Sequence, residues 1–574
     1  MARTLRSYRW FNRDDEVGFN HRASLLSEGY SPRSFQNRPV VGICNSWSEL
    51  NNCNLHLRAV AESVKRGVWA AGGFPLEFMT ISLGEELMMP TAMLYRNLMA
   101  IDVEEMVRSH PLDGVILLCG CDKTTPAQLM GIASMDVPAI VVPGGPALNG
   151  MWRNQKVGSG TDLWKNWDER RAGRISDKQW QELESSISRS PGHCMTMGTA
   201  STMTSMAEAL GMTMTGCASI PAVDSRRYST AELAGRRIVE LISEDLRPSQ
   251  IMTAKAFENA IRVFVGLGGS TNAVIHLTAI AGRLGIPLPL SKFDELAHST
   301  PTIANVQPSG EYLMEDFYYA GGLPAVMKKL LPLLHGSEIT VTGKTVAENV
   351  GAAECHNEEI IRDLSRAIHP EGSLAVLNGN LAPRGAVMKT SAASDRLFQH
   401  TGRAVVFENY EEMLRMIDDP DLDVDENSVL VLKNGGPVGG PGMPEWGQIP
   451  IPAKLLKQGV TDMVRISDSR MSGTSYGTVV LHISPEAAVG GPIAVVKTGD
   501  LIKLDIPNRR IDLAIPEAEL RGRLDAWRPA PKKFRRGYYT MFLDHILQAD
   551  QGCDFDFLVG EAGEEPYEPI VGRS

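Results

Sequence analysis

Residues 120–126 read Gly-Cys-Asp-Lys-Thr-Thr-Pro directly after the apolar run at 115–118. A thiolate is a soft ligand suited to iron, whereas a carboxylate is a hard ligand suited to magnesium. Cys121, Asp122 and Lys123 side by side therefore point to two unlike metals in one pocket. Cys53 and Cys194 also sit in polar or glycine-bearing loops. A cluster held by three such thiolates would leave one iron open to polarise a substrate oxygen. No compact C-x-x-C pair supports them, so spacing alone leaves open three unrelated buried thiols.

Glu85, Asp122 and Glu445 are the carboxylates to pair with a hard cation, each at a loop or glycine-rich turn. Glu445 closes the run 434–444, Asn-Gly-Gly-Pro-Val-Gly-Gly-Pro-Gly-Met-Pro. Ordering that much glycine costs entropy, which makes sense where backbone must wrap a site. In 468–475, Asp-Ser-Arg-Met-Ser-Gly-Thr-Ser, Ser472 is held between polar and glycine neighbours after an apolar run. A serine hydroxyl is a base only if nearby metal charge lowers its pKa strongly. No G-x-S-x-G elbow leads into a helix there, which makes a serine hydrolase the weaker reading.

These residues need elements to hold them. From residue 39 short apolar runs alternate with amphipathic segments: strands at 39–44, 76–81, 115–119 and 139–142, helices at 57–71, 93–109 and 126–135. That is the pattern of a parallel sheet wrapped by helices, whose ligands gather outside the carboxyl ends of the strands. Residues 51–53, 85–86, 121–123 and 144–146 follow the four strands in turn, so four loops meet at one edge. The polar, tryptophan-bearing stretch 149–191 reads as a surface excursion or an oligomer contact. The glycine turn at 266–272 opens a helix and is as readily structural as anion-binding.

After about residue 372 the texture changes to short Val, Ile and Leu runs punctuated by Gly and Pro, at 374–377, 404–407, 429–432, 463–466, 479–483, 493–496, 501–506 and 511–515. The expected fold is therefore α/β: an N-terminal parallel sheet wrapped by helices over 1–372, carrying the cysteines and most of the hard ligands. A β-rich, barrel-like domain over 373–574 carries Glu445 and Ser472. Such a length exceeds what one core supports.

The 57 basic and 68 acidic residues give a net charge of −11 without a long basic block, which argues against nucleic acid or an anionic membrane as partner. No apolar stretch is long enough to span a bilayer, and the start, Met1 to Arg6, runs into Asp14-Asp15-Glu16 without a signal core, so a cytoplasmic protein is expected. Eight scattered cysteines make no disulfide framework.

The chain resembles the dihydroxy-acid/sugar-acid dehydratase family from about Arg6 to Phe557. The likeness is carried by residues 121–126, by Gly268-Gly269-Ser270-Thr271-Asn272-Ala273, by 434–445, by Ser472-Gly473-Thr474 and by His482-Ile483-Ser484-Pro485-Glu486-Ala487-Ala488. It implies that Cys53, Cys121 and Cys194 hold a 2Fe-2S cluster and that Glu85, Asp122 and Glu445 ligate Mg²⁺ together with Lys123 as a carbamylated lysine. Ser472 stands where the family has its catalytic base, and Thr474 is similar to a neighbour that contacts substrate. The implied reaction removes water from a 2,3-dihydroxy acid to give a 2-keto-3-deoxy acid, in a homodimer or homotetramer. The tail 535–558, the stretch 90–97 and Ser469 and Met471 resemble the sugar-acid, pentonate (arabinonate/xylonate-type) branch. The apolar Leu87-Met88-Met89 departs from that branch and keeps a branched-chain dihydroxy acid in play. A non-catalytic iron-sulfur sensor is the reading from another class, for which the carboxylates and Ser472 would be needless.

Overall fold

The computed structural model describes residues 5–446, 449–531 and 534–560, so Met1 to Thr4 of the amino-terminal stretch noted above lie outside it. Four strands, β1 (Val40–Asn45), β2 (Phe74–Met79), β3 (Gly114–Cys119) and β4 (Ala139–Pro143), form one sheet. Its order is β2-β1-β3-β4 and every pairing is parallel. Every residue of β1, β3 and β4 is buried. That follows from their unbroken Val, Ile and Leu content, since a sheet covered by helices on both faces needs no polar alternation. The helices Leu57–Ala70, Arg96–Ser109 and Thr124–Met135 make the crossovers, matching the order expected from periodicity.

A helical layer follows. The helices Thr199–Ala209, Ala254–Leu267 and Asn272–Arg283 pack together, and the first of them is buried along its whole length. Its Thr, Ser, Ala and Met side chains are small or flexible enough to permit that.

Between these layers lie a short hairpin, β5 (Gly150–Trp152) and β6 (Gln155–Val157), and the helices Thr161–Arg171 and Asp177–Ser186. This stretch, expected to be a surface excursion or an oligomer contact, also contributes a wall of the cavity described below.

The second sheet contains β7 (Leu374–Leu377), β8 (Gly385–Lys389), β9 (Gln399–Phe407), β10 (Val429–Leu432), β11 (Arg465–Ser467), β12 (Val479–Ser484), β13 (Leu501–Asp505) and β14 (Arg510–Leu513). Its order is β14-β13-β9-β10-β11-β12-β8-β7. The strands β9 to β12 run parallel, and the flanking pairs are antiparallel. Asn378, just past β7, exchanges backbone hydrogen bonds with Arg509 and Ile511 at β14, which nearly closes the sheet into a barrel.

Two details differ from the expected strands. Residues 493–496 are not extended, because Pro492 opens a short 3-10 helix, Pro492–Val495; proline sets φ for a helical turn and has no N–H for a ladder. The strand β8 was not expected; its Gly-Ala-Val-Met-Lys sequence has weak β propensity and is ordered by pairing with β7 and β12.

Candidate active site

Lys123 caps the start of the Thr124–Met135 helix at the carboxyl end of β3, and its side chain is fully buried. Its Nζ lies 3.3 Å from Glu85 Oε2, 3.3 Å from Asp122 Oδ2 and 3.2 Å from Glu445 Oε2. Glu85 comes from the loop after β2 and Asp122 from the loop after β3. Glu445 comes from the glycine-rich loop after β10, so the two sheets meet here. One oxygen from each of these carboxylates falls within a 4.8 Å set.

Burial alone would lower the Lys123 pKa, but Glu445, Glu85 and Asp122 outweigh it and hold the amine charged. Burial pushes the Asp122 carboxyl up against the pull of Lys123, and the Glu445 and Glu85 charges add to the rise. Burial also pushes on Glu445, but Lys123 and then Arg470 reverse the effect and keep it ionised.

Three residues that the sequence reading gave no role complete this cage. Asn272 Nδ2 donates to Glu445 Oε1 at 2.7 Å, and the fully buried Arg470 lies 3.4 Å from Glu445 Oε2. Thr91 Oγ1 donates to Glu85 Oε1 at 3.1 Å. Asn272 and Arg470 stood inside the noted motifs, but nothing local shows that either faces Glu445.

The glycine run before Glu445 is held from below by two buried carboxylates. Gly435 N donates to Asp468 at 2.8 Å, and Val438 N and Gly439 N donate to Glu486 at 2.9 and 2.8 Å. A Cβ on Gly436 would stand 2.5 Å from a Glu486 oxygen, so the close approach itself requires glycine there.

The thiols lie beside this cage. Cys53, Cys121 and Glu86 each offer a ligand atom within a second 4.8 Å set, while Cys194 falls outside it and lines the same cavity as Cys53. The Cys53 thiol is raised well above its usual pKa, first by its hydrogen bond with Cys121 and then by burial. That same bond lowers Cys121, but burial together with the Glu86 and Asp122 charges outweighs it and its thiol is also raised. Burial raises Cys194. Cys119 is buried on β3, and burial pushes its thiol up to about 12. Glu86 next to the cysteines was legible as half of an acidic pair but not as their neighbour.

Ser472 and Thr474 sit in the loop between β11 and β12. Their hydroxyl oxygens are 2.7 Å apart, and Thr474 N donates to Ser472 Oγ at 3.3 Å. Both face a cavity of about 950 Å³ that also exposes Cys53, Cys194, Glu85, Asp122 and Glu445. Trp164, Trp167 and Trp446 contribute its apolar wall.

A soft thiol set and a hard carboxylate set thus flank one cavity with a serine at its edge. The chain belongs to the family described as dihydroxy-acid/6-phosphogluconate dehydratase, whose N-terminal model matches residues 38–349 and whose C-terminal model matches residues 359–553. It is 55% identical to an L-arabinonate dehydratase of Rhizobium leguminosarum bv. trifolii, over 98% of this chain and 97% of that one. It is 50% identical to a 6-deoxy-6-sulfo-D-gluconate dehydratase of Pseudomonas putida, over 99% and 98%. A dihydroxy-acid dehydratase of Ignicoccus hospitalis is more distant, at 41% over 94% and 98%. No helix among the described residues is long and apolar enough to cross a membrane.

Proposed function

We propose that the protein dehydrates an aldonic acid to the 2-keto-3-deoxy acid. The observation that carries this is the adjacency of the two ligand sets: Cys121 belongs to one, Asp122 to the other, and both sets border the cavity that Ser472 faces. Cys53 and Cys121, which lie close together, and Cys194 on the same cavity would hold a 2Fe-2S cluster. Glu85, Asp122 and Glu445 would hold Mg²⁺. The donors fit: three carboxylates already converge on one buried cation, and Glu85 Oε2 accepts no hydrogen bond. Lys123 as a carbamate requires the neutral amine, which its three carboxylate neighbours disfavour until a divalent cation takes over their charge.

When bound, the two metals would supply Lewis acidity, iron to the departing 3-hydroxyl and Mg²⁺ to the carboxylate and 2-hydroxyl. The chain's own part is to take the C2 proton on Ser472 Oγ, which accepts it as the alkoxide and becomes the neutral hydroxyl. Before that transfer Thr474 can steady the alkoxide charge with its N–H and O–H. The C2 proton and the 3-hydroxide leave as the elements of water, and the remaining enol tautomerises to the keto acid. Tryptophans of the cavity wall would keep bulk water away from the reacting carbons.

The cavity also bears on the substrate. Among the described residues lining it there is no lysine or arginine, so a sulfonate or phosphate at the far end would find no counter-charge. That favours an aldonate with a neutral hydroxyl tail over a sulfonated acid. Met88, Met89 and Trp164 on the wall are the observation in favour of the second reading, a branched-chain dihydroxy acid. The expected setting is a cytoplasmic homodimer or homotetramer.

Anaerobic purification, iron and sulfide analysis, and 2-keto acid formation from a panel of pentonates, 6-sulfogluconate and 2,3-dihydroxyisovalerate test the proposal. Turnover highest on a pentonate is the expected result. A colourless, iron-free and fully active protein would overturn it, and preference for dihydroxyisovalerate would replace it with the second reading.

A further inference from the structure

The Thr161–Arg171 helix has no part in the chemistry above except as wall. Its first turn is nevertheless docked on the Ser472 loop at several points. Thr161 Oγ1 donates to the Thr474 carbonyl at 2.8 Å. Gly160, at φ 78°, brings its backbone so close that a Cβ there would stand 2.4 Å from Thr474 Cβ. Further along, Tyr476 O–H donates to Asp168 at 2.9 Å, which ties the same helix to the same loop a second time. Between these anchors, Trp164 Nε1 donates to Thr474 Oγ1 at 3.1 Å, and Thr474 Oγ1 lies 2.7 Å from Ser472 Oγ.

Proton counting gives this chain a direction. An indole N–H only donates, and a hydroxyl has one proton and two lone pairs. Trp164 therefore fills one lone pair of Thr474 and leaves the threonine proton free for Ser472. Thr474 N already donates to Ser472 Oγ. With the hydroxyl turned the same way, Ser472 Oγ accepts two hydrogen bonds from one residue, and both strengthen when that oxygen carries charge. The indole donation also polarises the threonine O–H and makes it a better donor.

We propose that Trp164 is a positioning residue for the proton-abstracting step, orienting the Thr474 hydroxyl so that it donates to Ser472. The inference rests on the reading of Ser472 as the base. It gives the tryptophan-bearing stretch a role in turnover: the indole tunes the reactive oxygen at one remove, without touching the reacting atoms.

Trp164→Phe keeps an aromatic wall and removes the N–H. The expected result is a fall in kcat of roughly 10- to 30-fold, the scale for losing one hydrogen bond that supports a charged group, with KM, iron content and visible absorbance near wild type. Removal of the C2 proton becomes slower, so the isotope effect on kcat with C2-deuterated substrate rises. A merely structural tryptophan would move KM or cluster content and leave the isotope effect alone. Thr474→Val removes the intermediary, and Trp164→Phe added to it should cost nothing more, because the two act in series. Thr474→Ser keeps the hydroxyl and should restore the dependence on Trp164. Trp164→Met, a second apolar replacement, guards against a folding defect peculiar to phenylalanine.

Wild-type kcat and isotope effect in Trp164→Phe, or full additivity with Thr474→Val, would overturn the inference. Ser472→Ala separates this from the parent reading. If Ser472→Ala keeps turnover, the base assignment itself fails, whereas a dead Ser472→Ala beside a normal Trp164→Phe sinks only the relay.

Discussion

Replacing Lys123 with Met removes the ammonium that lies 3.2 to 3.3 Å from three carboxylates. Each contact is worth roughly 5 kcal/mol in gross Coulomb energy at an effective dielectric of about 20. Desolvation of the buried ions offsets most of that, and deleting one partner of a buried ion pair has a net cost of about 3–5 kcal/mol. Methionine fills a similar volume, so packing contributes little to the loss. Against a total stability of about 5–15 kcal/mol for a typical folded protein, the effect is large.

In the wild type, Lys123 and Arg470 hold Glu445 below its ordinary pKa. That contribution is complete above the unfolded carboxylate value and is lost as pH falls through the depressed one. In the variant, burial and mutual repulsion raise the carboxyls instead. Their cost is absent where they are protonated and complete above the raised value. The second change narrows the gap as pH falls toward 4.5, whereas the Glu445 part persists there and is lost only at lower pH, so the gap is smaller at pH 4.5 than at pH 8. Thermal unfolding in EDTA at both values reads it, and added Mg²⁺ should narrow the gap at pH 8 by replacing the missing positive charge. Equal transition temperatures at pH 8 in EDTA, or a wider gap at pH 4.5, would refute the reasoning.

Cys53→Ser, Cys121→Ser or Cys194→Ser should each bleach the visible absorbance of anaerobically purified protein, while Cys119→Ser, whose thiol stays neutral inside β3, should keep it. Asn272→Leu removes the 2.7 Å amide donor that orients Glu445, and Mg²⁺ titration should show affinity weakened about tenfold or more. Burial and then Asp468 push Glu486 up to about 7 despite the Gly439 and Val438 N–H donors, so its cost to stability is absent below pH 4.5 and complete above 7. Glu486→Gln should remove a stability loss of about 3 kcal/mol between pH 5 and 8, read by denaturant unfolding at the two values.

How far the site could be read depends on which contacts are local. The strand-loop pattern from residue 39 to 146 was legible because parallel strands buried on both faces leave long apolar runs, and their order forces the following loops to one edge. Within 120–126 a thiol, a carboxylate and an amine stand side by side, which is what made a mixed site the expectation. The strand β8 escaped because its propensity is weak and its neighbours impose its shape. Trp164 escaped for a related reason: a polar stretch with scattered tryptophans looks like exposed surface until it is laid against a loop some three hundred residues away.

The sequence by itself determined which side chains stand at the site and the sheet edge that presents them, since residue type and strand periodicity are properties of neighbours along the chain. The tertiary structure alone decided that Glu445 closes on Lys123, that Asn272, Arg470 and Thr91 steady the cage, and that Trp164 reaches Thr474. Those contacts are set by how two sheets and a helical layer pack, and packing joins side chains whose separation along the chain carries no trace of their meeting.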